Sequence, residues 1–230
     1  ATQSYVLKTS HHTILIDSCV GNHKERRFYP PWSGLESTKY IDDLAAIGLA
    51  VDDIDFVMCT HLHADHVGWN TMLSDGKWVP TFENARYLYG ETEFEHWRGE
   101  GEGDYGPLLA DSIMPVFDAG LVDLVQQDQQ ICPEIRLVPT PGHTPGHVSV
   151  MIESKGESAL ITGDFLHHPC QIVHPEWSSS PDVDRPQAIA TRRAMYEKLA
   201  GSPTLMIGTH FATPTAGRLV KDGDTYRLDV

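Results

Sequence analysis

Histidine and aspartate side chains cluster in one short stretch of this sequence, Thr60-His61-Leu62-His63-Ala64-Asp65-His66. A lone histidine on an apolar face is most often a core residue, but four possible ligands at this spacing predict a metal site. Neutral imidazole and carboxylate are the usual protein ligands for zinc where thiolate is absent. We therefore expect His61 and His63 to bind one ion, and Asp65 and His66 to bind a second ion beside it.

Three further segments place a possible ligand directly after a predicted strand. The run Pro141-Gly142-His143-Thr144-Pro145-Gly146-His147 follows a strand at 134–138. Gly163-Asp164 follows a strand at 158–162, and Gly208-Thr209-His210 follows a strand at 204–207. The HxHxDH stretch itself follows a buried strand at 54–59. Loops after strands are free to aim side chains, so His143, Asp164 and His210 join the candidate ligands.

The rest of the chain mixes strands and helices in both halves. Apolar spacing predicts helices at 37–47 and 185–199, the second opened by Pro186 and ended by Gly201. Further strands are predicted at 4–7, 13–17, 86–89 and 147–152, and a terminal hairpin turns at 221–224. This mixture favours an α+β fold in which helices pack outside two sheets, within a single domain over 1–230.

Composition limits the partners. The chain has 230 residues, and 32 acidic against 17 basic side chains give a formal charge of −15, which repels nucleic acid. No apolar run is long enough to span a membrane, so we expect neither partner. The four widely spaced cysteines predict free thiols and a cytoplasmic location. Because the chain opens with Ala1, a trimmed start with a lost leader is left open, and so is a homodimer.

In their order along the chain, HxHxDH, GHTPGH, GD and a late histidine are similar to the motifs of the metallo-β-lactamase superfamily. That resemblance implies an αββα sandwich, with two mixed β-sheets flanked by helices and a dinuclear metal site at one edge between the sheets. It implies two divalent ions, Zn²⁺ above all, with manganese, iron or cobalt as alternatives. The ligands implied for the first ion are His61, His63 and His143; those for the second are Asp65, His66 and His210, with Asp164 bridging both. His147 matches a family position that supports the ligands instead of binding metal.

Departures from the family pattern narrow the choice among the branches of the superfamily and so among their reactions. His63 stands where the di-iron flavoprotein branch has a carboxylate, and His66 where one β-lactamase class has arginine. The run after Gly163 resembles the lactonase and methyl-parathion-hydrolase side of the superfamily. The resemblance therefore implies a hydrolase in which a metal-bridging hydroxide attacks a neutral ester, foremost a lactone. The alternative is an organophosphate triester or aryl ester hydrolase; weaker alternatives are β-lactam hydrolysis and a non-catalytic metal-binding scaffold.

Two residues are candidates for catalysis. We expect Asp65 to orient the attacking hydroxide and His168 to donate a hydrogen bond to a small-molecule substrate, with His167 as the alternative donor. Aromatic residues suit a pocket for an apolar substrate, and their alternative role is packing under long loops. The candidates for lining this pocket are Phe28, Trp32, Trp69, Phe165 and His167.

Overall fold

Each of the two large β-sheets belongs to its own unit of the chain. The computed structural model describes residues 1–100 and 107–230. The N-terminal unit comprises Thr2–Tyr89 and Phe94–Val125, and the C-terminal unit comprises Ala1, Gly90–Glu93 and Gln126–Val230. The single domain expected over 1–230 stays a prediction.

The N-terminal unit contains a five-stranded sheet in the order β1-β2-β3-β6-β7. Strand β1 runs antiparallel to β2, whereas β2, β3 and β6 are parallel neighbours, so the sheet is mixed. A separate antiparallel hairpin joins β4 to β5. The strands are β1 (Tyr5–Lys8), β2 (Thr13–Ile16), β3 (Phe56–Met58), β4 (Thr71–Ser74), β5 (Lys77–Pro80), β6 (Arg86–Gly90) and β7 (Val122–Val125). The helices are α1 (Lys39–Ala46), α2 (Ala64–Val67) and α4 (Met114–Asp118), together with α3 (Glu91–Glu100), of which all but the first three residues belong to this unit.

The C-terminal unit contains a seven-stranded sheet in the order β14-β13-β12-β11-β10-β9-β8. Only β11 and β12 are parallel, because the long helix α6 lies between them in the chain. Asp184 caps the start of α6 by accepting a hydrogen bond from the Gln187 amide. The strands are β8 (Gln130–Cys132), β9 (Ile135–Pro139), β10 (Val148–Ser154), β11 (Glu157–Ile161), β12 (Leu205–Ile207), β13 (Ala216–Asp222) and β14 (Thr225–Asp229). The helices are α5 (Cys170–Val173) and α6 (Arg185–Leu199).

The expected α+β class with two mixed sheets is confirmed. The strands predicted before each ligand segment exist, and α6 has the predicted bounds of 185–199. The hairpin β4–β5 and the short strands β7 and β8 were not predicted. All four cysteines are free thiols, as expected. Among residues 1–100 and 107–230, no helix has both the length and the apolar character needed to cross a membrane.

A buried cationic network fixes the loop at 21–35 to the rest of the N-terminal unit. Arg26 makes a two-pronged ion pair with Asp111, with N···O distances of 2.7 and 3.0 Å. Beside it, the Lys24 ammonium donates to the Thr71 hydroxyl at 2.7 Å and to the Asp111 carbonyl at 3.0 Å, and lies 3.8 Å from the Trp78 ring centre. Two cations thus share one carboxylate. Burial lowers the pKa of Lys24 to about 7, with Asp111 opposing the shift.

This network makes stability depend on pH. Unfolded Lys24 would hold its proton up to its ordinary pKa of 10.5, whereas folded Lys24 loses it above about 7. Between these values the unfolded chain binds more protons, so the free energy of unfolding rises with pH, by about 1 kcal/mol per pH unit. We expect this rise in denaturant titrations between about pH 7 and pH 8.5, and we expect Lys24→Met to abolish it. Exposed Lys39→Met serves as the control; an identical pH slope in Lys24→Met and the parent protein would contradict the prediction.

Candidate metal centre

Four predicted ligands lie together in the N-terminal unit, where we call them the N-terminal ligand cluster: His61, His63, Asp65 and His66. His61 and His63 follow β3. Asp65 and His66 were expected on a loop, but they lie in the short helix α2. All four side chains are buried. His61 Nε2 is 2.9 Å from His63 Nδ1, and His66 Nε2 is 3.6 Å from Asp65 Oδ2. The His61 and His66 rings are 4.0 Å apart.

Asp17 orients this cluster, although it was not among the predicted site residues. It follows β2, whose carboxyl end lies beside that of its parallel neighbour β3. Its carboxylate accepts hydrogen bonds from the Thr60 amide (2.7 Å), the Thr60 hydroxyl (2.9 Å) and His66 Nδ1–H (2.8 Å). The Thr60 hydroxyl hydrogen is therefore committed, so His61 Nδ1–H donates to its oxygen at 3.1 Å. With the proton on Nδ1, His61 and His66 each have an unprotonated Nε2, which is the form of imidazole nitrogen that binds metal.

Three predicted ligands, His143, Asp164 and His210, lie together in the C-terminal unit with a further imidazole, His167; these four residues are here called the C-terminal ligand cluster. Asp164 and His210 follow the parallel neighbours β11 and β12, whose carboxyl ends share one sheet edge. Asp164 Oδ2 lies 3.0 Å from His210 Nε2, 3.2 Å from His167 Nε2 and 3.4 Å from His143 Nε2. Ligand atoms of His143, Asp164 and His167 all lie within 4.8 Å of one another.

The two histidines of the GHTPGH segment have different partners. His143 Nδ1–H donates to Asp182 Oδ1 at 2.9 Å, which leaves Nε2 facing Asp164. His147 Nε2 accepts the Asp164 amide hydrogen at 2.7 Å, and its Nδ1 lies 3.0 Å from the Thr140 carbonyl oxygen. Both ring nitrogens of His147 are thus engaged by protein groups. This arrangement agrees with a supporting position for His147.

His167 lies closer to the ligand atoms than the predicted catalytic residue His168. The His168 side chain is exposed, and its Nδ1 accepts the Cys170 amide hydrogen at 3.1 Å. The His167 ring lies against His143 at 4.8 Å and stacks on His210 at 5.5 Å. Adjacent histidines cannot be ranked from sequence, because a one-residue change at a turn reverses which of them points inward. The geometry favours His167, and a catalytic role for His168 stays a prediction.

The predicted pocket aromatics have different surroundings. Phe28 and Trp32 pack edge to face at 6.0 Å in the loop at 21–35, and Phe28 is 39% exposed. Trp69 is buried and stacks on Tyr40 at 5.2 Å. Phe165 is 1% exposed and packs in the apolar core of the C-terminal unit. That placement is at odds with a pocket-lining role for Phe165, because the side chain offers almost no surface to a ligand.

The donor chemistry of both clusters fits divalent metal ions. Each cluster combines imidazole nitrogens with a carboxylate, and in each a histidine Nδ1–H is held by a buried carboxylate, Asp17 or Asp182. Such outer hydrogen bonds fix the tautomer and the ring direction of metal-binding histidines. Burial raises the pKa of Asp182, and hydrogen bonding to Ser179 opposes that rise. The side chains of both clusters are therefore suited to bind divalent metal ions.

The chain belongs to the metallo-β-lactamase superfamily: the family model matches residues 1–210. The fold is the metallo-β-lactamase fold, as the sequence motifs implied. The two ligand clusters together contain all seven residues predicted as metal ligands, and their metal-binding roles stay a prediction.

Relatives include lactonases. An N-acyl homoserine lactonase of Bacillus thuringiensis is 27% identical over 173 residues, which are 70% of this chain and 62% of the relative. The chain thus spans under two thirds of that relative's length. Among solved structures, hydrolase AbOPH of the β-lactamase superfamily is similar at a TM-score of 0.82, with 24% identity over 99% of this chain and 78% of that one. AidC, a dizinc quorum-quenching lactonase, has a TM-score of 0.80, with 20% identity over 98% and 77% of the two chains.

Removing the Asp17 carboxylate should weaken metal binding without unfolding the chain. Asp17→Asn keeps the volume but loses the charge that holds His66 Nδ1–H, so we expect metal affinity to fall about 10- to 100-fold. Chelator competition followed by elemental analysis measures this loss. The exposed Asp52→Asn should keep the parent affinity; equal affinities in both variants would contradict an orienting role for Asp17.

The two GHTPGH histidines should differ in metal content. His143→Ala removes a ligand, so the purified variant should hold clearly less metal than the parent. His147→Ala removes hydrogen bonds to Thr140 and to the Asp164 amide, so it should lower the melting temperature more than the metal content. Elemental analysis beside thermal unfolding checks both variants, and an equal loss of metal would mean that the wrong imidazole has been assigned.

Proposed function

We propose that this protein is a dinuclear-metal-dependent hydrolase that cleaves a neutral ester, foremost a lactone. The observation that carries the proposal is the hydrogen bonding of the ligand histidines. Buried Asp17 and Asp182 hold Nδ1–H of His66 and His143, so that each Nε2 lies near a carboxylate oxygen of its own cluster. A protein without metal chemistry gains nothing from burying so many ionisable groups, because each burial costs free energy.

The family motifs imply two metal ions for this chain. His61, His63 and His143 would hold the first ion; Asp65, His66 and His210 would hold the second, with Asp164 as the shared ligand. Zn²⁺ suits this set of imidazoles and carboxylates, and manganese, iron or cobalt are alternatives. When bound, two such ions lower the pKa of a water molecule and polarise the carbonyl of an ester.

The residues of the chain would divide the remaining work. The buried Asp65 carboxylate lies 3.6 Å from His66 Nε2, and it would orient the attacking water and carry its proton. His167, which lies 3.2 Å from Asp164 Oδ2, would donate a hydrogen bond to the small-molecule substrate, with His168 as the alternative. Trp69, which is next to the N-terminal ligand cluster in sequence, would contact apolar parts of the substrate, and so would the exposed Phe28 and the partly buried Trp32.

The lactone is favoured over other esters by the relatives. The N-acyl homoserine lactonase matches over 70% of this chain, and AidC shares the fold. The formal charge of −15 adds a preference for neutral substrates over anionic ones. An organophosphate triester or aryl ester is the second candidate, because the segment after Gly163 resembles both branches.

A substrate panel tests the proposal. The metal-loaded protein should hydrolyse N-acyl homoserine lactones faster, in kcat/KM, than aryl esters, phosphotriesters or β-lactams. Turnover of only the aryl ester or triester would move the assignment to the second candidate. A protein that binds two ions and cleaves none of these substrates would contradict the enzymatic proposal and favour a scaffold.

Asp164→Ala tests the shared ligand. Loss of the carboxylate that lies near three imidazoles should reduce metal content and lower turnover by at least about 100-fold. The exposed Asp222→Ala, in the same unit, is the matched control and should keep both. Full turnover in Asp164→Ala would rule out the assigned site.

A further inference from the structure

The two residues that precede helix α6, Val183 and Asp184, are hydrogen-bonded to the loop that carries His143. The Val183 amide donates to the His143 carbonyl at 3.0 Å, and the Asp184 amide donates to the Gly142 carbonyl at 2.9 Å. Gly142 has a φ of +130°, and a Cβ there would lie 2.3 Å from the Ala188 nitrogen. The His143 loop therefore lies directly on the first turn of α6, so the helix can determine where this ligand sits.

Asp182, just before α6, extends this control to the imidazole itself. Its Oδ1 accepts from His143 Nδ1–H at 2.9 Å, and its Oδ2 accepts from the Ser179 amide at 2.9 Å. Both side chains, His143 and Asp182, are fully buried. A buried carboxylate with few donors depends strongly on nearby charge for its placement.

That charge is Arg192, a fully buried guanidinium in the middle of α6. Its Nη2 lies 3.9 Å from Asp182 Oδ2 and has no hydrogen-bond partner among residues 1–100 and 107–230. Its Nη1 donates to the carbonyls of Pro175 (2.6 Å) and Trp177 (2.9 Å). The charge contact thus faces Asp182, while the other nitrogens are committed to backbone oxygens.

Arg192 also contacts the backbone next to Asp164, the carboxylate of the C-terminal ligand cluster. Its Nε donates to the Phe165 carbonyl at 2.9 Å, and Phe165 directly follows Asp164. The turn at 163–165 is tight, since Gly163 has a φ of +56°. Fixing the Phe165 carbonyl therefore limits the movement of the Asp164 backbone. One rigid, planar side chain spans the Asp164 turn, the 175–177 segment and Asp182, a set of contacts that a lysine cannot make.

We propose that Arg192 is a positioning residue for the C-terminal ligand cluster. Through Phe165 it places Asp164, and through Asp182 it places His143, so that it sets the 3.4 Å separation of His143 Nε2 and Asp164 Oδ2. The inference rests on the proposed function, because it gives these ligands a metal to bind. A core residue that only stabilised α6 would leave the ligand geometry unchanged.

Arg192→Lys tests the proposal, since it keeps the positive charge and loses the fork of donors. The folded variant should bind metal at least about 10-fold more weakly in chelator competition, in line with losses at outer-shell partners. The visible spectrum of the Co²⁺-loaded variant should also shift, because that spectrum reports ligand geometry. Turnover should fall in kcat more than KM rises. Exposed Arg193→Lys, the next residue of the same helix, should match the parent protein in all three.

Two outcomes overturn the proposal. The first is an unchanged Co²⁺ spectrum and metal affinity in folded Arg192→Lys. The second concerns the case in which Arg192→Lys does not fold. We then expect Asp182→Asn, which leaves the guanidinium in place, to lose metal affinity by the same factor. An unchanged metal affinity in Asp182→Asn would contradict the proposal. If the parent protein binds two ions and hydrolyses its substrate while Arg192→Lys is unaffected, only the role of Arg192 is wrong. If the parent protein binds no metal, the proposed function is wrong as well.

Discussion

Hydrogen bonds between buried carboxylates and histidine Nδ1–H groups are the constraint on which both ligand clusters depend. Asp17 holds His66, and Asp182 holds His143, at 2.8 and 2.9 Å. A carboxylate in an apolar interior costs several kcal/mol unless donors satisfy it. Asp17 meets that cost with three donors, even though its φ of +56° disfavours a residue with a side chain. The same bonds that satisfy the carboxylates fix which nitrogen of each ring is free to bind metal.

The sheets bring these groups together by a simple topological rule. Parallel neighbours end at one edge, so Asp17 and Thr60 meet after β2 and β3, and Asp164 and His210 meet after β11 and β12. Strand β10 runs antiparallel to both β9 and β11. The GHTPGH turn between β9 and β10 therefore lies at the same edge of the sheet as the carboxyl end of β11. The C-terminal unit thus gathers its predicted ligands from distant segments, whereas those of the N-terminal unit come from one stretch, 61–66, which Asp17 orients. Helix α6 adds a rigid support, since its Arg192 contacts the backbone beside Asp164.

Much of this architecture was predictable, for physical reasons. Continuous apolar runs such as Ile14-Leu15-Ile16 mark buried strands, and dense histidine spacing marks ligands, so both signals are local in sequence. Asp17, Asp182 and Arg192 were missed because their roles depend on contacts between distant segments. A weak signal existed for Asp17, a charged residue directly after an apolar strand, but no such signal existed for Arg192, which resembles any helix arginine. The order of His167 and His168 was equally beyond reach, because it depends on backbone direction at a single turn.

We propose that the protein binds two metal ions. Isothermal titration of the metal-free protein with Zn²⁺, checked by elemental analysis after dialysis, measures this stoichiometry directly. We expect about two tightly bound ions per chain, with proton release as the imidazoles and carboxylates take up metal. Binding of one ion or none, with the chain folded throughout the titration, would contradict it.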